Sequence, residues 1–322
     1  LVPLSLLIEQ VTAIYMPLTS GGALLLPPAD MPPLGSPGVV AADRLELIRA
    51  ARASALTLTP ALVEAMAART RELEAGADPM QKLFGRPNAP LLAAGGAPVS
   101  KAALIALEGC GIPVYQGYGL SENSSVATWN RRGANRIGTA GQPLPHVQVR
   151  IADDGELCLR SSSLFAGYSN DDPSSCVVDD GGWLHTGDLA RLDSDGFVTI
   201  TGRKKTLIIT ANGRNISPEW LESAYRTVAD VLHVIVYGDR QQFLGGLFIV
   251  ADLAREPQIR QAIAAYAREH LSEIEQIPAP VLVQHSAHVM EQLFTVTGRP
   301  RREAVAPFLS SQSKGLPIDE HS

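Results

Sequence analysis

Cysteine is scarce in this chain of 322 residues: Cys110, Cys158 and Cys176 are odd in number, far apart in sequence and form no CxxC pair. That favours a fold without disulfides or structural zinc, in a reducing compartment, with the cytoplasm as the expected location. Basic clusters are as rare. The net charge is −6 and the longest basic stretch is the short region Arg299 to Arg302, so the electrostatic footprint of a nucleic-acid binder is missing. A membrane span needs about 20 uninterrupted apolar residues. The most apolar segment, Leu1 to Pro28, is broken by Glu9, Gln10 and several glycines and prolines, and it lacks the basic start of a signal peptide. There is no Gly-x-Ser-x-Gly elbow, which removes support for a serine hydrolase, and no internal repeat or low-complexity block.

What is present is an ordinary globular composition, 45% hydrophobic and 19% charged, in a chain long enough for two or more domains. Leu1 to Leu26 reads as a helix, then Pro17, then a strand ending at Pro27-Pro28, followed by a Pro- and Gly-rich linker to Gly38. Asp43 caps a helix through Ala53, Leu56 to Leu58 is a strand, and Thr59-Pro60 opens a helix through Glu74. Two further strands, Leu91 to Ala94 and Pro113 to Tyr115, run into the small-residue loops Gly95-Gly96-Ala97-Pro98 and Gln116-Gly117-Tyr118-Gly119-Leu120-Ser121-Glu122. This alternation predicts an α/β fold with a mainly parallel sheet, in which ligands bind beyond the carboxyl ends of the strands.

From Gly138 to Gly202 the pattern changes to short strands and turns, the signature of an antiparallel β-subdomain. Asp195-Gly196 and Asn212-Gly213 each mark a hairpin. A helix is expected to begin at Ser217, with its hydroxyl as cap and Pro218 in the first turn. Strands Val231 to Tyr237 and Gly246 to Val250 and a helix from about Gln258 to Ile274 complete a compact tail, and Ser310 to Ser322 reads as a frayed polar end. Asp188 and Arg203 each stand at a strand end beside a glycine; a carboxylate there can grip a sugar diol, and a guanidinium can reach a phosphate or help hold the diol. His285 and His288, three apart and without a nearby carboxylate, do not read as metal ligands.

The segments GGAPVS (Gly95 to Ser100), YGLSE (Tyr118 to Glu122), HTGD (His185 to Asp188), TGRKK (Thr201 to Lys205) and ANGRNISPEWLE (Ala211 to Glu222) occur in one order. Together they resemble the adenylate-forming superfamily of acyl-CoA synthetases, luciferases and peptide-synthetase adenylation domains, over nearly the whole chain. ITANGRNISPEWLE and VPLSLLIEQ are most similar to the long-chain fatty acyl-CoA synthetase branch. The resemblance implies a partial large domain over residues 1–203, whose residues 138–202 are the β-subdomain, and a small mobile α+β domain over residues 204–322.

It also implies a two-step reaction. A carboxylic acid, fatty or other, attacks the α-phosphate of ATP to give an acyl-adenylate and pyrophosphate, and a thiol, usually of coenzyme A, then displaces AMP. Gly95, Gly96, Ala97 and Pro98 would form one wall of the adenine slot, and Gln116, Gly117, Tyr118 and Gly119 the other. Ser121 would stand near the α-phosphate, Glu122 would hold Mg²⁺, Asp188 would grip the ribose hydroxyls, and Arg203 would support ribose and phosphate. Lys205 matches the hinge, and Gly213 the loop lining the thiol tunnel. A carrier protein as acyl acceptor, and a catalytically silent nucleotide-binding remnant, are the alternatives.

Three departures from the family pattern stand out. The family's phosphate loop should precede residue 1, so the chain, which begins at Leu1, is expected to be the back part of a longer enzyme. Arg299 occupies the place of the lysine that bridges carboxylate and phosphate during adenylation; its planar fork keeps the charge and changes the reach. Leu7 stands where relatives often carry a His near the acyl pocket.

Overall fold

The computed structural model describes residues 7–32, 34, 39–97, 99–169, 178–211, 213–295 and 299–313; Pro98, Cys176, Asn212, Thr297 and Gly298 lie outside the described residues. The chain divides into two compact units, one ending at Thr206 and the other starting at Leu207.

The first unit opens on a helical stretch, Leu7–Glu9, Gln10–Tyr15 and Met16–Ser20, of which the middle part is π-helical. Pro17 does not end the helix as expected, because it falls in the first turn after the wider π segment, where a missing N–H is tolerated. Gly21, at φ +72°, ends it instead. The strand expected before Pro27-Pro28 does not form: residues 22–28 have no regular structure, and Leu24, Leu25 and Leu26 are exposed.

Strands β1 (Ala55–Leu58), β2 (Leu91–Ala94) and β3 (Val114–Leu120) are parallel, and β4 (Ser125–Trp129) and β5 (Gln142–Pro143) continue the same sheet antiparallel. The crossovers carry helices Pro60–Arg71 and Lys101–Gly109, whose first amides are capped by Thr59 and Ser100. Leu62, Val63 and Met66 from one helix and Leu104 and Leu107 from the other join Leu58, Leu92 and Val114 in one buried cluster. Each such side chain contributes roughly 2 kcal/mol through burial.

β3 extends past the expected Tyr115 to Leu120, so the glycine-rich stretch is strand and not loop. Pairing with β4 satisfies its backbone, and two glycines make that pairing sterically feasible. A Cβ on Gly117 would stand 2.3 Å from the Trp129 ring, and one on Gly119 would stand 1.7 Å from the Ser125 carbonyl oxygen. Gly119→Ala is therefore expected to cost about 3 kcal/mol or more of stability, because backbone has to move to relieve the overlap. A denaturant midpoint unchanged from wild type would contradict this.

The second sheet is an antiparallel meander, β6 (Val147–Ile151), β7 (Glu156–Ser161), β8 (Leu184–Leu192) and β9 (Val198–Arg203). Its apolar face buries Leu157, Leu159, Leu184, Ala190 and Val198. Asp193 closes the Asp195-Gly196 hairpin by accepting from the Asp195 and Phe197 amides, at 3.0 and 2.9 Å.

In the second unit, β10 (Ile208–Ile209) and β11 (Asn215–Ile216) form a short ribbon. β12 (Val231–Tyr237), β13 (Gly245–Val250) and β14 (Val281–Gln284) form a sheet covered on both faces. Helices Pro218–Tyr225 and Glu256–His270 pack on one face through Leu221, Tyr225, Ile259 and Ile263; Val289, Leu293, Val305 and Phe308 cover the other. Ser217 does not cap its helix: its hydroxyl donates to the Glu219 carboxylate at 3.3 Å. Helix Val305–Ser313 runs into the stretch expected to fray. No helix among the described residues is long and apolar enough to cross a membrane.

Candidate functional site

The ends of β2 and β3 lie side by side, with Ala94 opposite Gln116. Gly95, with its Cα facing the Gly117 carbonyl so closely that a Cβ would be 3.1 Å from that oxygen, continues from β2, and Gly96 and Ala97 are exposed beyond it. The two segments expected to wall a slot are thus neighbours. The Gln116 carbonyl accepts from the Asn130 amide at 2.9 Å, while its side-chain Oε1 is buried without a hydrogen-bond partner among the described residues. Such an acceptor is costly to leave unmade and suits a ligand N–H.

Asp188 and Arg203 are directly opposite in the β8–β9 register, and Asp188 Oδ1 lies 3.5 Å from Arg203 Nε. Tyr118, from the other sheet, donates its hydroxyl to Asp188 Oδ2 at 2.6 Å. Burial, reinforced by the Asp188 carboxylate, pushes the Tyr118 phenol well above its ordinary value, so it remains a donor. The Asp188 side chain is 15% exposed and that of Arg203 48%; the carboxylate is held from behind and the guanidinium is free to follow a ligand.

Glu122 follows β3 on the turn Ser121–Asn123, with Ser121 exposed beside it. Its carbonyl accepts from the Phe165 amide at 2.8 Å, and its Oε1 accepts the Tyr168 hydroxyl. Lys205 is exposed on the turn Lys204–Thr206. Gly213 and Arg299 belong to the second unit. Gly213, at φ +70°, turns the β10–β11 ribbon, and Arg299 is exposed, its amide donating to Thr295 Oγ1 at 3.0 Å. Of the residues singled out from sequence, Tyr118, Asp188 and Arg203 are brought into one contact group within the first unit.

A second group was not legible in the sequence. Glu156, buried at the start of β7, accepts from the Gly187 amide through Oε1 at 2.7 Å. Its Oε2 lies 3.0 Å from His185 Nδ1 and 3.0 Å from Lys204 Nζ, and Lys204 also reaches Asp154 at 2.6 Å. Burial works to raise the Glu156 carboxyl, but hydrogen bonds from His185, Lys204 and the Gly187 amide outweigh it and hold the group below its ordinary value. Glu156, Cys158 and His185 are close enough together to suggest a metal centre. The donor chemistry argues otherwise. Burial and the adjacent Glu156 push the Cys158 thiol up, away from the thiolate a metal needs, and an ammonium already occupies the shared oxygen.

The model of a family described as AMP-binding enzyme matches residues 1–169. The chain belongs to the AMP-binding enzyme family. A long-chain-fatty-acid–CoA ligase, FadD15, of Mycobacterium bovis is 41% identical over 156 residues, covering 48% of this chain and 26% of that protein. The Bos taurus long-chain-fatty-acid–CoA ligase ACSBG1 is 39% identical over 160 residues, covering 48% of this chain and 22% of that protein. The matched part of the chain spans about a quarter of the length of these AMP-binding relatives. Among solved structures, an anthranilate CoA ligase, AuaEII, in complex with anthranoyl-AMP superposes with a TM-score of 0.75 at 21% identity, covering 96% of this chain and 59% of that one. That likeness establishes the α/β fold of the family for both units of the chain.

Proposed function

We propose that this AMP-binding chain takes part in forming an acyl-adenylate from a fatty acid and ATP and in passing the acyl group to coenzyme A. The observation that carries the reading is the Tyr118–Asp188–Arg203 group, a donor-held carboxylate paired with an exposed guanidinium next to two small-residue strand ends.

In this reading the adenine lies against Gly95, Gly96, Ala97 and Pro98 on one side and Gln116 to Gly119 on the other, with the orphaned Gln116 oxygen as partner for an adenine N–H. Asp188 accepts from both ribose hydroxyls, Tyr118 holds Asp188 in place, and Arg203 turns toward the phosphate. Ser121 lies along the path to the α-phosphate. Glu122 fits Mg²⁺, since a single half-buried carboxylate is the kind of protein ligand that ion takes beside phosphate oxygens and water. Bound there, Mg²⁺ would supply charge for the developing phosphate oxygens. Lys205 is the pivot between the two half-reactions, and Gly213 belongs to the thiol step.

Arg299 is the residue that brings charge to carboxylate and phosphate during adenylation. Arg299→Lys is expected to raise the rate of acid-dependent pyrophosphate release severalfold and to leave thioester formation from preformed acyl-adenylate within about twofold. An unchanged first step would remove Arg299 from that role. The reading as a whole is tested by product analysis with ATP, Mg²⁺ and a panel of carboxylic acids, with and without coenzyme A. Long-chain acyl-CoA and AMP are the expected products; an adenylate that is released only to a carrier protein, or no pyrophosphate with any acid, would contradict it.

A further inference from the structure

We infer that Glu156 is the positioning residue of this site, one buried carboxylate that fixes Gly187 and Lys204 together and thereby sets Asp188 and Arg203; the inference rests on the adenylate reading above. Asp188 and Arg203 face each other in the β8–β9 register. The residues that Glu156 grips are their immediate neighbours, Gly187 before Asp188 and Lys204 after Arg203.

The arrangement has a physical reason. Gly187 takes φ +73°, and its N–H points away from the ladder, so an acceptor is needed to hold the turn that aims Asp188. Glu156 Oε1 supplies it at 2.7 Å, and Thr186 adds a second tie, its hydroxyl donating to the Leu157 carbonyl at 2.7 Å and accepting from the Asp188 amide at 3.1 Å. Both ties run to β7, so the aim of Asp188 is set by that strand. On the other side, Asp154 and Glu156 hold the Lys204 ammonium at 2.6 and 3.0 Å. Lys204, next to Arg203, is thereby tied to the start of β7.

An ordinary structural ion pair would stabilise the fold without selecting these two neighbours. The two roles separate in the response of the Gly187 amide and of AMP affinity. Glu156→Gln replaces one carboxylate oxygen by an NH₂ group, which then faces either the Gly187 N–H or the Lys204 ammonium, so one attachment is lost whichever way the amide lies. The remaining oxygen turns to the Lys204 ammonium, the stronger, charge-assisted donor, so the Gly187 amide should lose its hydrogen-exchange protection, and the dissociation constant of AMP should rise roughly tenfold. Amides of the β12–β13 ladder should keep theirs.

Lys204→Met provides a second, milder variant. It keeps Gly187 protected at pH 8 and frees only the Arg203 side, so AMP binding weakens by less than in Glu156→Gln, and the protection falls at a higher pH than in wild type, because the carboxylate has lost its ammonium partner. The charged and titratable groups around it are Asp154, Lys204, His185 and Cys158, with Asp179 and Arg150 behind the last two. Wild-type exchange and AMP affinity in Glu156→Gln, or a loss of protection spread equally over β12 and β13, would overturn the inference. If wild type binds no AMP while Gly187 responds as described, the adenylate reading fails and the anchoring role of Glu156 is upheld.

Discussion

Asp188→Ala is expected to weaken AMP binding by roughly a hundredfold, about 3 kcal/mol, since in the proposed role two ribose hydroxyls lose a charged acceptor at once. The same change leaves the Tyr118 hydroxyl without the acceptor it meets at 2.6 Å and leaves Arg203 without its facing carboxylate. Asp188→Asn is the graded control: its remaining oxygen can still take the Tyr118 proton, but it offers one acceptor in place of two and no charge. The expected order of affinity by titration calorimetry is wild type, then Asn, then Ala, with thermal midpoints of all three within a few degrees. Equal AMP affinity in wild type and Asp188→Ala would show that the carboxylate serves the fold alone.

Arg302→Ala is expected to have a large and pH-dependent effect on stability. Glu222, on helix Pro218–Tyr225, is buried; its Oε1 accepts from the Val236 amide at 3.0 Å and from Arg302 at 2.6 Å, with Glu219 3.9 Å from the same guanidinium. Burial raises the Glu222 carboxyl from 4.5 to about 7 against the pull of Arg302. Between those values the folded chain holds a proton that the unfolded chain has released. This contribution is therefore complete below pH 4.5 and is lost as pH rises through 7. Removing Arg302 leaves an uncompensated buried carboxylate, so the variant loses about 3 kcal/mol at pH 8 and less at pH 5.5, where the group is protonated.

Denaturant unfolding at the two pH values measures this, and Glu222→Gln should flatten the difference. His233 acts in the opposite sense. Burial, with Arg226 and His285 nearby, lowers it from 6.5 to about 4, so its contribution is present above 6.5 and is lost as pH falls through 4. The wild-type profile is accordingly shallower between 4.5 and 6.5 than either group alone would make it. A deficit in Arg302→Ala that is the same at both pH values would contradict this account of the pair.

The hairpins, the βαβ alternation and the helix start at Thr59-Pro60 were legible in the sequence because each rests on local chemistry: turn residues with the required φ, or a short hydroxyl side chain and a proline at the start of a helix. Departures came where distant partners decide. Gly117 and Gly119 read as loop punctuation, yet β4 converts them into strand and Trp129 and Ser125 explain why no side chain fits. The apolar run Leu24 to Leu26 reads as strand, but no strand among the described residues pairs with it. In the site, Asp188 and Arg203 were visible from their strand ends and glycines, while Tyr118 as the donor holding Asp188 was not, since the bond joins two sheets. Glu156 follows the Asp153-Asp154-Gly155 turn, and nothing local distinguishes it from an ordinary surface acid at a strand start. Its role depends on Gly187 and Lys204, 31 and 48 positions away.

The most direct measurement of the central claim is the affinity of the chain for AMP beside that for 2′,3′-dideoxy-AMP, by calorimetry on the same preparation. AMP is suited to it, because adenine, ribose and the α-phosphate are the parts assigned to Gly95 to Ser121, Asp188 and Arg203. With Asp188 as the ribose grip, AMP binds and the dideoxy analogue binds roughly a hundredfold more weakly; equal affinity for the two, or no AMP binding, would contradict the assignment.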